Sequence, residues 1–246
     1  MDKLIRCAPV AIALTILVAG CSHGDDSAAQ DPALSPLPAR VAAPSTATAP
    51  PVADSAQLQS ALLTVADLPP GFAQLPAGPP GDPTGPRDSN DKSHTDPAEC
   101  ANILAPVAQQ FRGASANAVS RFGGPNFASI DIDAASYPAS GVGQAFAAVQ
   151  HTLRDCGHYS GTDADGIAVE NWVGGSVQQP RIGDAAVTYR VITSSDGVRL
   201  TTDAVVAVVG STVMQLAAAG QTAIDPALLA TLANKQAERL RSGTGS

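Results

Sequence analysis

Residues 185–218, AAVTYRVITSSDGVRLTTDAVVAVVGSTVMQLAA, decide the fold. Three runs rich in Val, Ile and Thr, at 185–193, 198–209 and 212–218, are separated by short links that contain Asp196-Gly197 and Gly210-Ser211. Those dipeptides supply the backbone conformations that tight hairpins need, so the three runs predict an antiparallel meander. With a two-residue first turn, Arg190 faces Asp203 across the ladder. Val205, Ala207, Val209, Met214 and Leu216 make one face apolar, while Val206 and Val208 make the other apolar too. Either both faces are covered or one lines a groove.

Working outward, residues 167–173 form a further strand, with Glu170 and Trp172 on one face and Val169 and Val173 on the other. Two more strands lie at 116–122 and 127–137, where Ile130 and Ile132 alternate with Asp131 and Asp133, the pattern of a half-buried strand. Between them and the meander, Val142, Phe146, Val149 and Leu153 recur at helical spacing, leaving Gln150, His151, Arg154 and Asp155 mainly on the polar side. A closing helix begins at Asp225-Pro226 and carries Leu228, Leu229, Leu232 and Leu240. Asp96-Pro97-Ala98-Glu99 marks another helix start, with Asp96 as N-cap and a break near Ala105 imposed by Pro106. The first helix spans 56–66, presents Leu58, Leu62, Leu63 and Val65, and stops before Pro69-Pro70-Gly71. Residues 76–96, rich in Pro, Gly, Asp and Ser, read as a loop. The order ααββαββββα gives an α+β fold: one domain, an antiparallel β-sheet with packed helices.

At the N-terminus, Lys3 and Arg6 precede an apolar stretch that ends at Leu17-Val18-Ala19-Gly20-Cys21, a small-small-Cys junction like a bacterial lipobox. Residues 1–20 read as a lipoprotein signal peptide, too short to span a bilayer. Cys21 is the expected lipidation site, which places the chain at the cell membrane, lipid-anchored on its extracytoplasmic face. Residues 21–54 hold few large apolar side chains and read as a disordered Pro/Ala/Ser tether. The folded domain is expected at 55–241, with 242–246 as a tail.

Of four cysteines, Cys7 leaves with the signal peptide and Cys21 carries lipid, so Cys100 and Cys156 remain to form one disulfide in an oxidising compartment. The alternatives are two inert buried thiols or a redox pair, but no Cys-x-x-Cys spacing poises a reactive thiolate.

Removing Lys3, Arg6 and Asp2 with the signal peptide leaves 12 of the 14 basic and 21 of the 22 acidic residues. This acidity excludes nucleic acid as a partner, and one Trp, three Tyr and five Phe supply few stacking platforms. Ser89-Asn90-Asp91-Lys92 matches Ser-x-x-Lys, but it lies in a polar loop and no Lys-Thr-Gly follows. His151, Asp155 and His158 could converge on a metal ion, yet a solvated helix flank accounts for them equally well, so no metal is assigned. Asp163-Ala164-Asp165-Gly166 lacks the later ligands of a calcium loop and reads as a turn. No Gly-x-Ser-x-Gly, His-Glu-x-x-His or phosphate-binding loop occurs, so neither a catalytic residue nor a cofactor is assigned. Trp172 with Glu170 is the candidate ligand contact, set against a plain packing role for the sole tryptophan.

Residues 62–72 (LLTVADLPPGF), the Cys100 and Cys156 pair, Gly183-Asp184-Ala185 and the final hairpin plus helix resemble mycobacterial lipoproteins whose domain is like the extracellular sensor domain of serine/threonine kinase H. That resemblance implies a disulfide-stabilised antiparallel sheet offering a cleft to an extracellular ligand, and a binding role without chemistry. The kinase sensor is stapled by more disulfides than this chain has cysteines for. With no kinase domain and no transmembrane helix, such a protein acts by sequestering, presenting or handing over its ligand. The partners that fit are the membrane, through the lipid anchor, and a small molecule, a lipid or another envelope protein.

Overall fold

A computed structural model of the chain describes residues 32–76, 90–176 and 178–243. The expectations for Cys21, the signal peptide, Ser89 and the final tail residues 244–246 lie outside the described residues.

The meander forms as the sequence dictates. Strands β7 (Ala185–Ser195), β8 (Val198–Val209) and β9 (Thr212–Gly220) pair antiparallel, joined by two two-residue turns. Asp196 and Gly197 both take positive φ, 46° and 75°, the conformation a tight hairpin demands. That turn sets the register Arg190↔Asp203, and the guanidinium grips the carboxylate with two bonds, Nε–Oδ1 2.9 Å and Nη2–Oδ2 2.7 Å.

Around this centre the sheet grows to nine strands in the order β1-β3-β4-β9-β8-β7-β6-β5-β2. The remaining strands are β1 (Ala73–Gln74), β2 (His94–Asp96), β3 (Ala116–Gly123), β4 (Ser129–Ser136), β5 (His158–Thr162) and β6 (Ala168–Gly175). Both faces of the centre are covered. Val205, Ala207, Met214 and Leu216 join Ile130, Ile132 and Phe122 beneath helices α1 (Ser55–Ser60) and α4 (Pro226–Gly243). Val206, Val208, Val213 and Tyr189 pack on the other side against Val142, Phe146, Val149 and Leu153 of helix α3 (Gly141–Asp155). A strand buried on both faces loses its alternation, which is why residues 204–209 are uninterrupted Ala and Val.

Cys100 and Cys156 are bonded, with Cα atoms 5.6 Å apart. The bridge ties a 3₁₀ turn, Ala98–Asn102, to the end of α3. The chain then breaks as Pro106 requires, and Pro106 caps the short helix α2 (Val107–Gln110).

Several expectations are corrected. The helix expected at 56–66 stops at Ser60, because the buried Gln236 of α4 donates to the Ala61 carbonyl (3.0 Å) and accepts the Leu63 amide (2.8 Å), capturing the backbone that would have continued it. Val65 lies instead in a separate 3₁₀ turn, Val65–Asp67, exposed to solvent. Asp96 belongs to edge strand β2 rather than capping a helix, and Pro97 takes the cap position. Edge strands β1 and β2, and β5 beside β2, appear in segments too short or too polar to signal themselves.

The largest correction concerns the tether. From Pro32 to Asp54 the chain lies along the domain. Val41 exchanges two hydrogen bonds with the Gln150 amide, both 2.9 Å, and Arg154 donates to the Pro38 carbonyl at 2.7 Å. Ser35 forms a β-bridge to Gly175, and Val52 donates to the Ser136 hydroxyl at 2.9 Å. Composition missed this because the segment has little apolar surface of its own; buried polar groups on α3 supply its partners. Gln150 is accordingly buried rather than on a solvated flank.

Candidate functional site

Beside α2 the covering of the sheet is incomplete. On the α3 side of the sheet, the register sets Val119 of β3 beside Asp133 of β4, Arg121 beside Asp131, Asp133 beside Gln215 of β9, and Ala219 beside Thr202 of β8. Leu104 and Pro106, from the turn that Pro106 breaks, form a wall over them. The result is a cleft of about 270 Å³ with an acidic, amide-bearing floor and apolar sides.

Its floor is built around Asp133, which sequence alternation placed on the solvated face and the structure buries to 7% exposure. The turn preceding α2 folds over β4, and the Val107 amide donates to Asp133 Oδ1 at 2.7 Å. Gln215 Nε2 lies 3.2 Å from Asp133 Oδ2 and 3.2 Å from the Ala105 carbonyl. The Tyr189 hydroxyl stands 3.0 Å from the Ile103 carbonyl and 3.1 Å from Gln215 Oε1, and gives its proton to one of them. Arg121, which also lines the cleft, pulls the Asp133 carboxyl down only weakly. Burial pushes the Asp133 carboxyl up to about 7, against the pull of the Val107 and Gln215 hydrogen bonds and the Arg121 charge, and neighbouring Asp131 adds to the rise. Asp131 is also raised, by burial, with Arg121 (3.6 Å) and Ser129 opposing. Burial raises the hydroxyls of Tyr189 and Tyr137 as well.

This arrangement can present a carboxyl in either protonation state near neutral pH to a small guest, with Leu104, Ala217 and Ala219 as apolar contacts. Among the lining residues Thr202 is the only hydroxyl, and no imidazole or thiol stands beside it, so a nucleophile–base pair is not assembled there.

Trp172 and Glu170 sit elsewhere. They project from β6 on the sheet face opposite the cleft, where Trp172 stacks on His158 (ring centroids 5.3 Å, planes 20° apart) and Glu170 Oε2 lies 2.8 Å from His158 Nε2. The ring is half-buried, neither core nor cleft lining. His151 pairs with Asp155 on the exposed flank of α3 and does not meet His158, which is taken by Glu170. Among the described residues, no group of three or more His, Cys, Asp or Glu could hold a metal ion. Asp163 spends its carboxylate on the Asp165 and Ile167 amides (3.0 and 2.9 Å), the turn that was expected. The sequence showed Asp131 and Asp133 in alternation but gave no sign that residues 103–107 fold across them.

No protein-family model and no curated protein matches the sequence. The layers and strand order define an α+β domain with one antiparallel sheet covered by helices on both sides. This is the fold of the extracellular domain of PknH from Mycobacterium tuberculosis, which is similar over 78% of this chain and 98% of that one, with a TM-score of 0.55 at 13% identity. A putative uncharacterized protein from Mycobacterium smegmatis, the Rv0999 ortholog, aligns over 75% of this chain and 97% of its own with a TM-score of 0.35 at 16% identity.

Proposed function

We propose that the chain is an extracytoplasmic ligand-binding domain, held at the cell membrane by lipid on Cys21, that acts by binding a small molecule rather than by catalysis. The observation that carries this reading is Asp133, a buried carboxyl at the floor of an open cleft with apolar walls, kept protonated toward neutrality by burial although Arg121 lines the same cleft. Buried polar groups of this kind, convergent in a concave and partly apolar site, are how proteins fix a ligand's orientation. The disulfide suits an oxidising compartment, and the fold is shared with an extracellular domain. Among the described residues no helix is long and apolar enough to cross a membrane. The strand faces that could have held acyl chains are filled by α1, α3 and α4, which favours a small guest over a lipid cargo.

Ala219 rims the cleft, and Ala219→Trp is expected to fill it without touching the core. Native mass spectrometry of protein released from its own envelope should show a bound small molecule in the wild type and none in the variant. A wild-type protein that carries no adduct would remove this reading. The anchor is tested separately: Cys21→Ala should move the protein from the detergent to the aqueous phase on detergent partitioning, and unchanged partitioning would refute it.

A further inference from the structure

The segment at 34–48 is seated in a groove whose chemistry is that of a peptide-binding site. Gln150, 3% exposed, offers both halves of its amide to a single residue, Oε1 accepting the Val41 amide and Nε2 donating to the Val41 carbonyl. One helical turn further on, Arg154 donates to the Pro38 carbonyl. At the sheet edge beyond β5, the Gly175 amide donates to the Ser35 carbonyl at 2.7 Å. All four bonds go to main-chain atoms, so over 35–41 the groove reads an extended backbone; one side chain adds to this, the Thr48 hydroxyl donating to Asp184 Oδ2 at 3.0 Å. Leu37, Val41, Ala43 and Ala47 fill shallow apolar seats beside the α3 core. The groove is cut to this guest: a Cβ on Gly174 would fall 2.6 Å from Leu34 Cβ, and one on Gly175 would fall 2.4 Å from the Pro36 carbonyl oxygen.

Residues 41–53 contain no charge and mix Ala, Pro, Ser and Thr, a composition that leaves backbone donors and acceptors unpaired until a partner supplies them. The segment joins the body through exposed Pro50 and Pro51, and Val52 beyond them is buried, so 34–48 can leave its seat without moving α1.

We propose that the groove between α3 and the end of β6 is an extended-peptide site, filled in cis by residues 34–48 and able to accept the same segment from a second copy of the chain. Every contact is reproduced when groove and segment belong to different molecules, the condition under which exchange of an identical element gives a dimer at low cost. In dilute solution the covalently attached segment has the higher effective concentration and holds the seat; crowding at a membrane surface narrows that advantage.

Cysteine pairs test this directly. Ala43 Cβ lies 3.7 Å from where a Cβ on Gly143 would stand, inside the roughly 3.5–4.5 Å span of a disulfide. In residues 21–246 carrying Cys21→Ser, Ala43→Cys with Gly143→Cys in one chain should oxidise to a cross-linked monomer. An equimolar mixture of the two single variants should give a covalent dimer at least tenfold above a mixture of Ala43→Cys with Ala101→Cys, which places the second thiol on an exposed turn. A double variant that stays reduced would overturn the seating of the segment, and one that closes while the mixture stays at the background level would overturn its exchange.

Discussion

Replacing both Cys100 and Cys156 with alanine is expected to lower the free energy of unfolding by about 4 kcal/mol while leaving the native structure in place. The two cysteines are 56 residues apart, and closing a loop of that length removes roughly this much chain entropy from the unfolded state. Against a typical net stability of about 5–15 kcal/mol the loss is large. It should not open the cleft, because the turn that walls it is fastened independently. Asp133 holds the Val107 amide, Tyr189 reaches the Ile103 carbonyl, and the Tyr137 hydroxyl donates to the Phe111 carbonyl at 2.7 Å. Urea unfolding followed by circular dichroism should show the midpoint falling by about 2 M, at a slope of about 2 kcal/mol per M. Amide spectra of residues 98–111 should stay close to those of the oxidised protein. A loss below about 1 kcal/mol would mean that the unfolded chain is held compact by something other than the bridge.

The parts of this fold that could be read in the sequence are those whose signal is local. Residues 185–218 carry their own turns and their own two-sided apolar pattern, so the meander, its register and the Arg190–Asp203 pair follow from spacing alone. The cysteine pair could be read because counting left one partner for each. What could not be read is held by distant groups. Strands β1, β2 and β5 are two, three and five residues long and exist through the neighbour they pair with. The segment from Pro32 to Asp54 is ordered by Gln150 and Arg154, more than a hundred positions away. Gln236 ends α1 from the far end of the chain, and its position on an amphipathic helix reads as a routine polar residue.

The cleft belongs to the second kind. Alternation at 130–133 correctly marks a strand, and both isoleucines are fully buried beneath α1 and α4. The same alternation assigns Asp131 and Asp133 to solvent, which holds for a sheet with one open face. Here the turn at 103–107 crosses that face and buries one aspartate while leaving the other at the rim. Pro106 was legible as a helix breaker, but not as the residue that turns the chain over β4 to wall a site.

Asp133 then makes the stability of the domain depend on pH in a direction opposite to the usual acidic side chain. In the folded protein it keeps its proton up to about pH 7, whereas an unfolded aspartate releases it near 3.8. Between those values the unfolded state binds fewer protons, so stability falls as pH rises, by at most about 1.4 kcal/mol per pH unit and roughly 4 kcal/mol in all. Asp131, also raised, adds in the same direction. Asp67 acts outside this window: burial raises it, but hydrogen bonds from Lys235 and Thr64 and the charge of Arg239 together bring it down to about 2, so its contribution is lost only as pH falls from 3.8 toward 2. Asp133→Asn should therefore flatten the profile between pH 4 and 7. The asparagine carbonyl can still accept the Val107 amide, and Gln215 can turn its own carbonyl toward the new amide, giving up its bond to the Ala105 carbonyl, which keeps Gln110 as a donor, while Tyr189 has the Ile103 carbonyl as an alternative acceptor. The variant should accordingly be slightly less stable than the wild type at pH 4.5 and more stable by a few kcal/mol at pH 7.5. Urea unfolding at those two pH values measures the crossing, and carbon NMR of the Asp133 carboxyl follows its titration directly. Parallel profiles for wild type and variant would place the titrating group elsewhere and deprive the cleft of the buried acid on which its binding role rests.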